Sequence, residues 1–240
     1  MQPRAWYTEN NVQVELGNPV EEIDAEAKRV RTRLSGWVNY DTLVLATGSS
    51  AALPPGVTLD KYGGVFVYRT LQDLEDIMAW SKRENVTQAA VVGGGLLGLE
   101  AAKAAKDLGL DVSIYERSDR LMARQLDCDA SRVLVAEIEK LGLKSIIGDC
   151  PMELEGDEES NLKSFKLGSG ETHTSQMAIY AIGIRPRDGL SQSTPQLKCA
   201  ARGGFVVNDR LETSIPDVFA IGECASHNDM VYGLVAPGYE

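Results

Sequence analysis

The chain has 240 residues, enough to bury a substantial core in one large or two small domains, and its 43% hydrophobic and 25% charged content is that of an ordinary folded protein. Its 24 Lys+Arg against 35 Asp+Glu leave a net charge of −11 with no basic stripe, so the phosphate-neutralising surface that nucleic-acid binding needs is missing. No apolar run approaches the roughly eighteen residues of a membrane span, and Met1 to Asn10 is polar and aromatic rather than a targeting signal; a soluble, cytoplasmic protein with no nucleic-acid or membrane partner is expected.

From the amino terminus, Val12 and Val14 alternate with polar residues, then Val20, Ile23, Val30 and Leu34 mark further short strand-like pieces. A turn at Trp37 leads into a buried-type strand from Thr42 to Ala46, which closes on Thr47 and Gly48 and is followed by a Pro- and Ser-containing loop. Val65 to Tyr68 reads as a strand, and Thr70 with Asp73 forms a capping signal for a helix from about Leu71 to Lys82, with Leu71, Leu74, Ile77 and Met78 as its apolar face.

The stretch Thr87 to Glu116 carries the most information. A short apolar run, Ala89 to Val92, ends on glycines, as a strand buried on both faces does. Gly93, Gly95 and Gly98 supply G-x-G-x-x-G, and a helix from about Leu96 to Leu108 follows with Leu97, Ala101, Ala105 and Leu108 inward. Gly109 ends it, and a second strand, Val112 to Tyr115, runs into Glu116. This is a dinucleotide-binding βαβ unit. Gly93 makes the tight turn, Gly95 lets a pyrophosphate approach the backbone, and Gly98 lets helix and strand pack closely. The helix N-terminus faces the anion. Glu116 would accept from the ribose hydroxyls and disfavour a 2′-phosphate, which points to NAD, whereas Arg117 and Arg120 just beyond could pair with that phosphate, so NADP stays open.

Beyond Glu116 a polar segment precedes a helix with Val133, Leu134, Ile138 and Leu141 on one face, and Lys144 to Ile147 is the next parallel strand. Cys150 to Ser175 reads as an antiparallel excursion, Met177 to Ile182 as a buried strand stopping at Gly183, and Phe205 to Val207 and Val218 to Ile221 as further strands, the last stopping at Gly222 and Glu223. The cysteines, Cys128, Cys150, Cys199 and Cys224, are far apart, which argues against a metal site or redox-active dithiol and for buried, reduced thiols. His173 and His227 read as solvated surface residues.

Three strands thus end in small residues: LVLATG at Leu43 to Gly48, IYAIG at Ile179 to Gly183, and VFAIGE at Val218 to Glu223. Such ends leave room for a nucleotide or an isoalloxazine edge, and an acid there can take a ribityl hydroxyl. Taken in order with the glycine turn, they resemble the flavoprotein pyridine nucleotide-disulfide oxidoreductase family. FVYRTLQDLEDI (Phe66 to Ile77), ERSDRLMARQLD (Glu116 to Asp127), AIGIRPRD (Ala181 to Asp188) and GLVAPGYE (Gly233 to Glu240) are similar to the diaphorase region of assimilatory NAD(P)H nitrite reductase large subunits.

The resemblance implies an α/β fold in which a Rossmann-like NAD(P)-binding domain, residues 69–187, is inserted in a split and truncated FAD-binding domain, residues 1–68 and 188–240, with antiparallel β excursions. It implies that Gly93, Gly95, Gly98, Glu116 and Arg117 surround NAD(P)H, and that Thr47, Gly48, Gly183, Gly222 and Glu223 border FAD. Glu100, in the family's GxxGxE, would lie near the nicotinamide and flavin rings, although by position alone it is equally a solvated first-turn acid. Arg185 would line the route between domains, although by position alone it is equally a surface salt-bridge residue. No catalytic acid or base and no metal ligand is expected within the chain, which reads as an excised piece lacking the first FAD fingerprint. The iron–sulfur cluster and sirohaem that the likeness implies would sit in other redox modules of the same polypeptide, and a homodimer is the candidate assembly.

Overall fold

The computed structural model describes residues 2–233. Its chain divides into two compact units, residues 1–50 with 185–240 and residues 51–184. The sequence division at 68/69 and 187/188 therefore differs from the observed one, most at the first boundary.

The first unit opens with a short helix α1 (Arg4–Glu9), where no helix was expected, and Val12 and Val14 follow as exposed residues outside any strand. An antiparallel sheet comprises β1 (Val20–Asp24), β2 (Arg29–Thr32) and β3 (Gly36–Asn39). Trp37, expected at a turn, lies in β3, where Arg29 packs its guanidinium 4.4 Å from the ring centroid. β4 (Leu43–Leu45) and β5 (Ser49–Ala51) complete this part.

The second unit is built on a parallel sheet. Its elements are β6 (Val65–Val67), α2 (Leu71–Ser81), β7 (Gln88–Val92), α3 (Leu96–Asp107), β8 (Asp111–Glu116), α4 (Cys128–Lys140) and β9 (Lys144–Ile147). An antiparallel sheet follows, β10 (Pro151–Gly156), β11 (Leu162–Leu167) and β12 (Thr172–Thr174), before the chain returns through β13 (Met177–Tyr180). The parallel order is β6-β13-β7-β8-β9. Because β6 hydrogen-bonds to β13, this unit begins upstream of Arg69. The helix α2 starts on the expected capping box, with the Thr70 hydroxyl accepting from the Asp73 N–H and the Asp73 carboxylate accepting from the Thr70 N–H.

The apolar strand runs are explained by cover on both faces. Val91, Val112, Ile114, Met177 and Ile179 pack with Ile77, Ala101, Ala102, Ala105 and Ile138 of the helices. The alternating set faces the antiparallel sheet: Ala90 and Tyr115 meet Phe165 and Leu167, while Val92, Ala178 and Tyr180 meet Leu162. Helix α3 turns Gly98 and three alanines inward, and Leu97, expected inward, is exposed. On α4 Ile138 is buried, whereas Val133 and Leu141 face out. Small residues on α3 permit the close approach of helix and sheet that leucines would block.

The chain then re-enters the first unit through β14 (Ile184–Pro186), followed by a 3₁₀ turn (Gly189–Gln192), β15 (Phe205–Val207), β16 (Val218–Ala220), a second 3₁₀ turn (Gly222–Cys224) and β17 (Ala225–His227). β16 pairs in parallel with β4, and β15 with β17. Ile23, Leu45, Phe205, Ile215, Val218 and Cys224 form the core of this unit. Among the described residues no helix is long and apolar enough to cross a membrane.

Two tests follow from the second unit. Alanine is favoured over glycine in a helix interior by about 1 kcal/mol, but a Cβ on Gly98 would lie 1.8 Å from the Gly93 carbonyl oxygen, so the clash decides. Gly98→Ala is predicted to destabilise the unit by about 3 kcal/mol in urea unfolding; an unchanged midpoint would show that helix and strand can separate freely. The Asp149 carboxylate accepts from the N–H groups of Cys150, Gly168 and Ser169, tying the start of β10 to the end of β11. Hydrogen bonds, that of the Ser169 side chain foremost, hold its pKa below the ordinary value. A lowered folded pKa gives stability that is complete above the unfolded value, about 3.9, and lost as pH falls through the folded one. Asp149→Asn should therefore flatten the acid limb of a plot of melting temperature against pH, and an unaltered limb would remove Asp149 from acid unfolding.

Candidate functional site

The glycine turn lies at the carboxyl ends of β7 and β13. Gly93 has φ of +117°, and a Cβ there would meet the Ala181 carbonyl oxygen at 2.5 Å, so only glycine fits between the strand ends. Gly95 is the N-cap of α3, with no side-chain cap and no acid in the first turn. A Cβ on it would meet nothing within 4 Å. The first N–H groups of α3 lack intrahelical partners, and Gly95 leaves the backbone open on the side an anion would approach. This is the physical requirement for a pyrophosphate.

Glu116 is brought to the turn and held there. Its Oε2 accepts from the Gly94 N–H at 2.7 Å and its Oε1 from the Ser118 N–H at 2.7 Å. Each oxygen keeps a second lone pair for a ribose hydroxyl. Gly94 was not singled out by the sequence, yet it is as constrained as its neighbours: a Cβ would meet Leu121 Cδ2 at 2.4 Å and Glu116 Cβ at 3.0 Å. Of the two arginines, Arg117 is exposed, whereas Arg120 donates through Nε to the Leu126 carbonyl at 3.1 Å and pairs with Asp119 at 2.8 Å. Arg120 is thereby committed within its own loop. Glu100 is exposed and lies in the second turn of α3, not the first. Leu96 and Leu97, on the exposed side of the helix start, add an apolar border, although helical periodicity assigns Leu97 to the core. Gly183 has φ of +117°, and its carbonyl accepts from the Ala52 N–H.

In the other unit, the parallel pairing of β4 with β16 sets two strand ends side by side. Leu45 is opposite Ala220, and the Ile221 N–H donates to the Leu45 carbonyl at 2.9 Å. Thr47 and Gly48 thus leave the sheet next to Gly222 and Glu223, and the Ser49 hydroxyl donates to the Glu223 carboxylate at 2.5 Å. Thr47 Oγ1 donates to the Arg187 carbonyl at 2.6 Å. Gly48 and Gly222 have φ of +67° and +72°, with open space where a Cβ would be. A ligand laid across the carboxyl ends of adjacent parallel strands meets little steric resistance here. The residues present fit the ribityl and isoalloxazine portion of a flavin: an acid for a hydroxyl and two side-chain-free turns. GLVAPGYE falls outside the described residues except for Gly233.

The cysteines depart from expectation. Only Cys224 is buried; Cys128 is exposed, and Cys150 and Cys199 are half-buried, all four as free thiols. Burial pushes the Cys150 and Cys199 thiols up, away from the thiolate that disulfide exchange needs. The histidines are also more engaged than expected. His173 Nδ1 lies 2.8 Å from the Tyr115 hydroxyl, burial pushing that phenol up to about 12, and His227, within β17 and not a loop, lies 2.8 Å from Asp209.

The family model described as pyridine nucleotide-disulphide oxidoreductase matches residues 5–237. The chain is 39% identical, over its whole length, to a nitrite reductase [NAD(P)H] of Emericella nidulans, of which it covers 22%. It is 40% identical, over 98% of its length, to a nitrite reductase [NAD(P)H] of Bacillus subtilis, of which it covers 28%. It therefore spans about a quarter of these curated relatives. Among solved structures, a ferredoxin reductase from Rhodopseudomonas palustris superposes with a TM-score of 0.85 at 25% identity, covering 95% of this chain and 54% of that one.

Substitutions separate the two parts of the glycine turn. Gly95→Ala should fold normally and lose about tenfold or more in dinucleotide affinity, since the methyl group enters space a phosphate would use; unchanged affinity in calorimetry would move the phosphates elsewhere. Glu116→Ala should lower the NADH to NADPH affinity ratio, and an unchanged ratio would remove Glu116 from ribose recognition.

Proposed function

The chain belongs to the pyridine nucleotide-disulphide oxidoreductase family, and from that premise we propose that it is an electron-entry module passing hydride from NAD(P)H to FAD. Within a longer polypeptide the module would feed the reduction of nitrite to ammonia. The observation that carries the reading is the uncapped glycine turn at α3 with Glu116 drawn onto it. A turn that served packing alone would need Gly98 against Gly93, but not an open Gly95 or an acid beside it.

The roles divide by unit. Gly93 and Gly98 bring helix and strand close enough for the α3 N–H groups to face a pyrophosphate, Gly95 admits it, and Glu116 accepts from the ribose. Arg117, exposed beside Glu116, is the cation available to a 2′-phosphate. Thr47, Gly48, Gly222 and Glu223 border the flavin, Glu223 taking a ribityl hydroxyl while Ser49 holds its carboxylate. Gly183 would border the flavin as well, and Glu100 would lie near the reacting rings. Bound there, the cofactors would supply the chemistry, a hydride transfer from the dihydronicotinamide to the flavin. That reaction asks the protein for positioning and exclusion of water rather than for an acid or base, so no catalytic residue is assigned.

Nitrite as the final acceptor rests on the two relatives named nitrite reductase. Iron–sulfur and sirohaem centres elsewhere in the polypeptide would carry the electrons onward one at a time. The likeness to a ferredoxin reductase supports a second reading, direct reduction of a separate ferredoxin or rubredoxin.

The proposal is tested by adding FAD to the purified protein, removing unbound flavin, and supplying NADH without oxygen. The flavin's visible absorption should bleach, and ferricyanide should be reduced while nitrite is not consumed. A retained flavin that NADH leaves oxidised would contradict hydride transfer. Turnover of oxidised rubredoxin or ferredoxin faster than ferricyanide would favour the second reading.

A further inference from the structure

Met122 has φ of +52°, in the left-handed region. A methionine stays there only where its surroundings over-determine it. Here its carbonyl accepts from the N–H groups of Gln125 and Leu126 at 2.8 and 2.9 Å, and its own N–H donates to the Gly94 carbonyl at 2.8 Å. The peptide unit that carries that N–H also carries the Leu121 carbonyl, which accepts from the Ser131 hydroxyl at 3.0 Å. Ser131, on α4, is 2% exposed, and Leu121 is fully buried against Gly94.

These contacts form a line. The Ser131 hydroxyl holds one end of the Leu121–Met122 peptide, and the other end holds the Gly94 carbonyl. In a trans peptide the N–H points opposite to the carbonyl. The Gly94 carbonyl is fixed towards Met122, so the Gly95 N–H of the same peptide is aimed away from that turn. Hydrogen bonds in series polarise one another, which makes the terminal N–H the better donor.

We infer that Ser131 is a positioning residue for the pyridine dinucleotide: through the Leu121–Met122 and Gly94–Gly95 peptides it orients and strengthens the Gly95 N–H that receives the pyrophosphate. The inference rests on the dinucleotide reading of the glycine turn. Ser131 itself meets no part of the ligand. Its effect falls on the pyrophosphate, which NADH and NADPH share, and not on the ribose that Glu116 reads. The two residues therefore have different signatures in binding.

The test is calorimetric titration of wild-type protein, Ser131→Ala and Ser131→Cys with NADH and with NADPH, well below their melting temperatures, together with the Gly95 amide proton shift in the ligand-free proteins. Ser131→Ala should weaken both cofactors by about twofold or more, since the lost bond strengthens the Gly95 N–H only by serial polarisation, with the NADH to NADPH ratio constant. Ser131→Cys, a weaker donor of similar size, should fall between wild type and alanine and serves if the alanine variant does not fold. The Gly95 amide proton should move upfield in both variants, which loss of stability alone would not cause. Wild-type-like affinity in the variants, or a change in the ratio, would overturn the inference while leaving the dinucleotide reading intact. Wild-type protein that binds neither cofactor would overturn that reading and the inference with it.

Discussion

The approach of Gly98 to Gly93 is the contact on which the second unit depends. With 1.8 Å between a hypothetical Cβ on the helix and the strand's carbonyl oxygen, the helix can sit where it does only if residue 98 has no side chain. That proximity brings the start of α3 over the end of β7 and turns its unpaired N–H groups towards the strand ends. It also explains why the inward face of α3 is Gly98, Ala101, Ala102 and Ala105, and why the sheet beneath can be buried on both sides. An anion-receptive helix end is a consequence of the packing.

The same economy governs the polar contacts around the turn. The Gly94 N–H is taken by Glu116 and the carbonyl by Met122, so the loop between strand and helix is gripped from both sides before any ligand binds. Preorganisation of this kind lowers the cost of ordering a site on binding. Glu116 holds the turn with one lone pair on each oxygen and keeps the second for the ribose role proposed for it. In the other unit Glu223 is likewise engaged by Ser49 while remaining at the edge of two open turns.

Much of this was legible in the sequence because the signals were local. The G-x-G-x-x-G turn, the strand before it, the acid after it and the Thr70–Asp73 capping box each occupy a few residues whose chemistry allows little else. What the sequence concealed depends on distant partners. Leu97 falls at a helical spacing that suggests the core, but Gly98 occupies the tight position and rotates the leucine outwards. The boundary expected near Arg69 is displaced because β6 joins β13 across more than a hundred residues. Cys150 reads as an ordinary apolar residue, yet the loop that Asp149 ties leaves it half-buried. Met122 and Ser131 carry no local signal, since their importance comes from peptides that tertiary structure alone brings into line.

The central claim is that the turn from Gly93 to Gly98, with Glu116, is a working dinucleotide site. The most direct measurement is a calorimetric titration of the unmodified protein with NADH, repeated with NADPH and in the presence of FAD. The account predicts saturable binding of NADH without any flavin, because the turn and its acid lie within one unit. No heat of binding for either dinucleotide under any condition, from a protein shown to be folded, would contradict it.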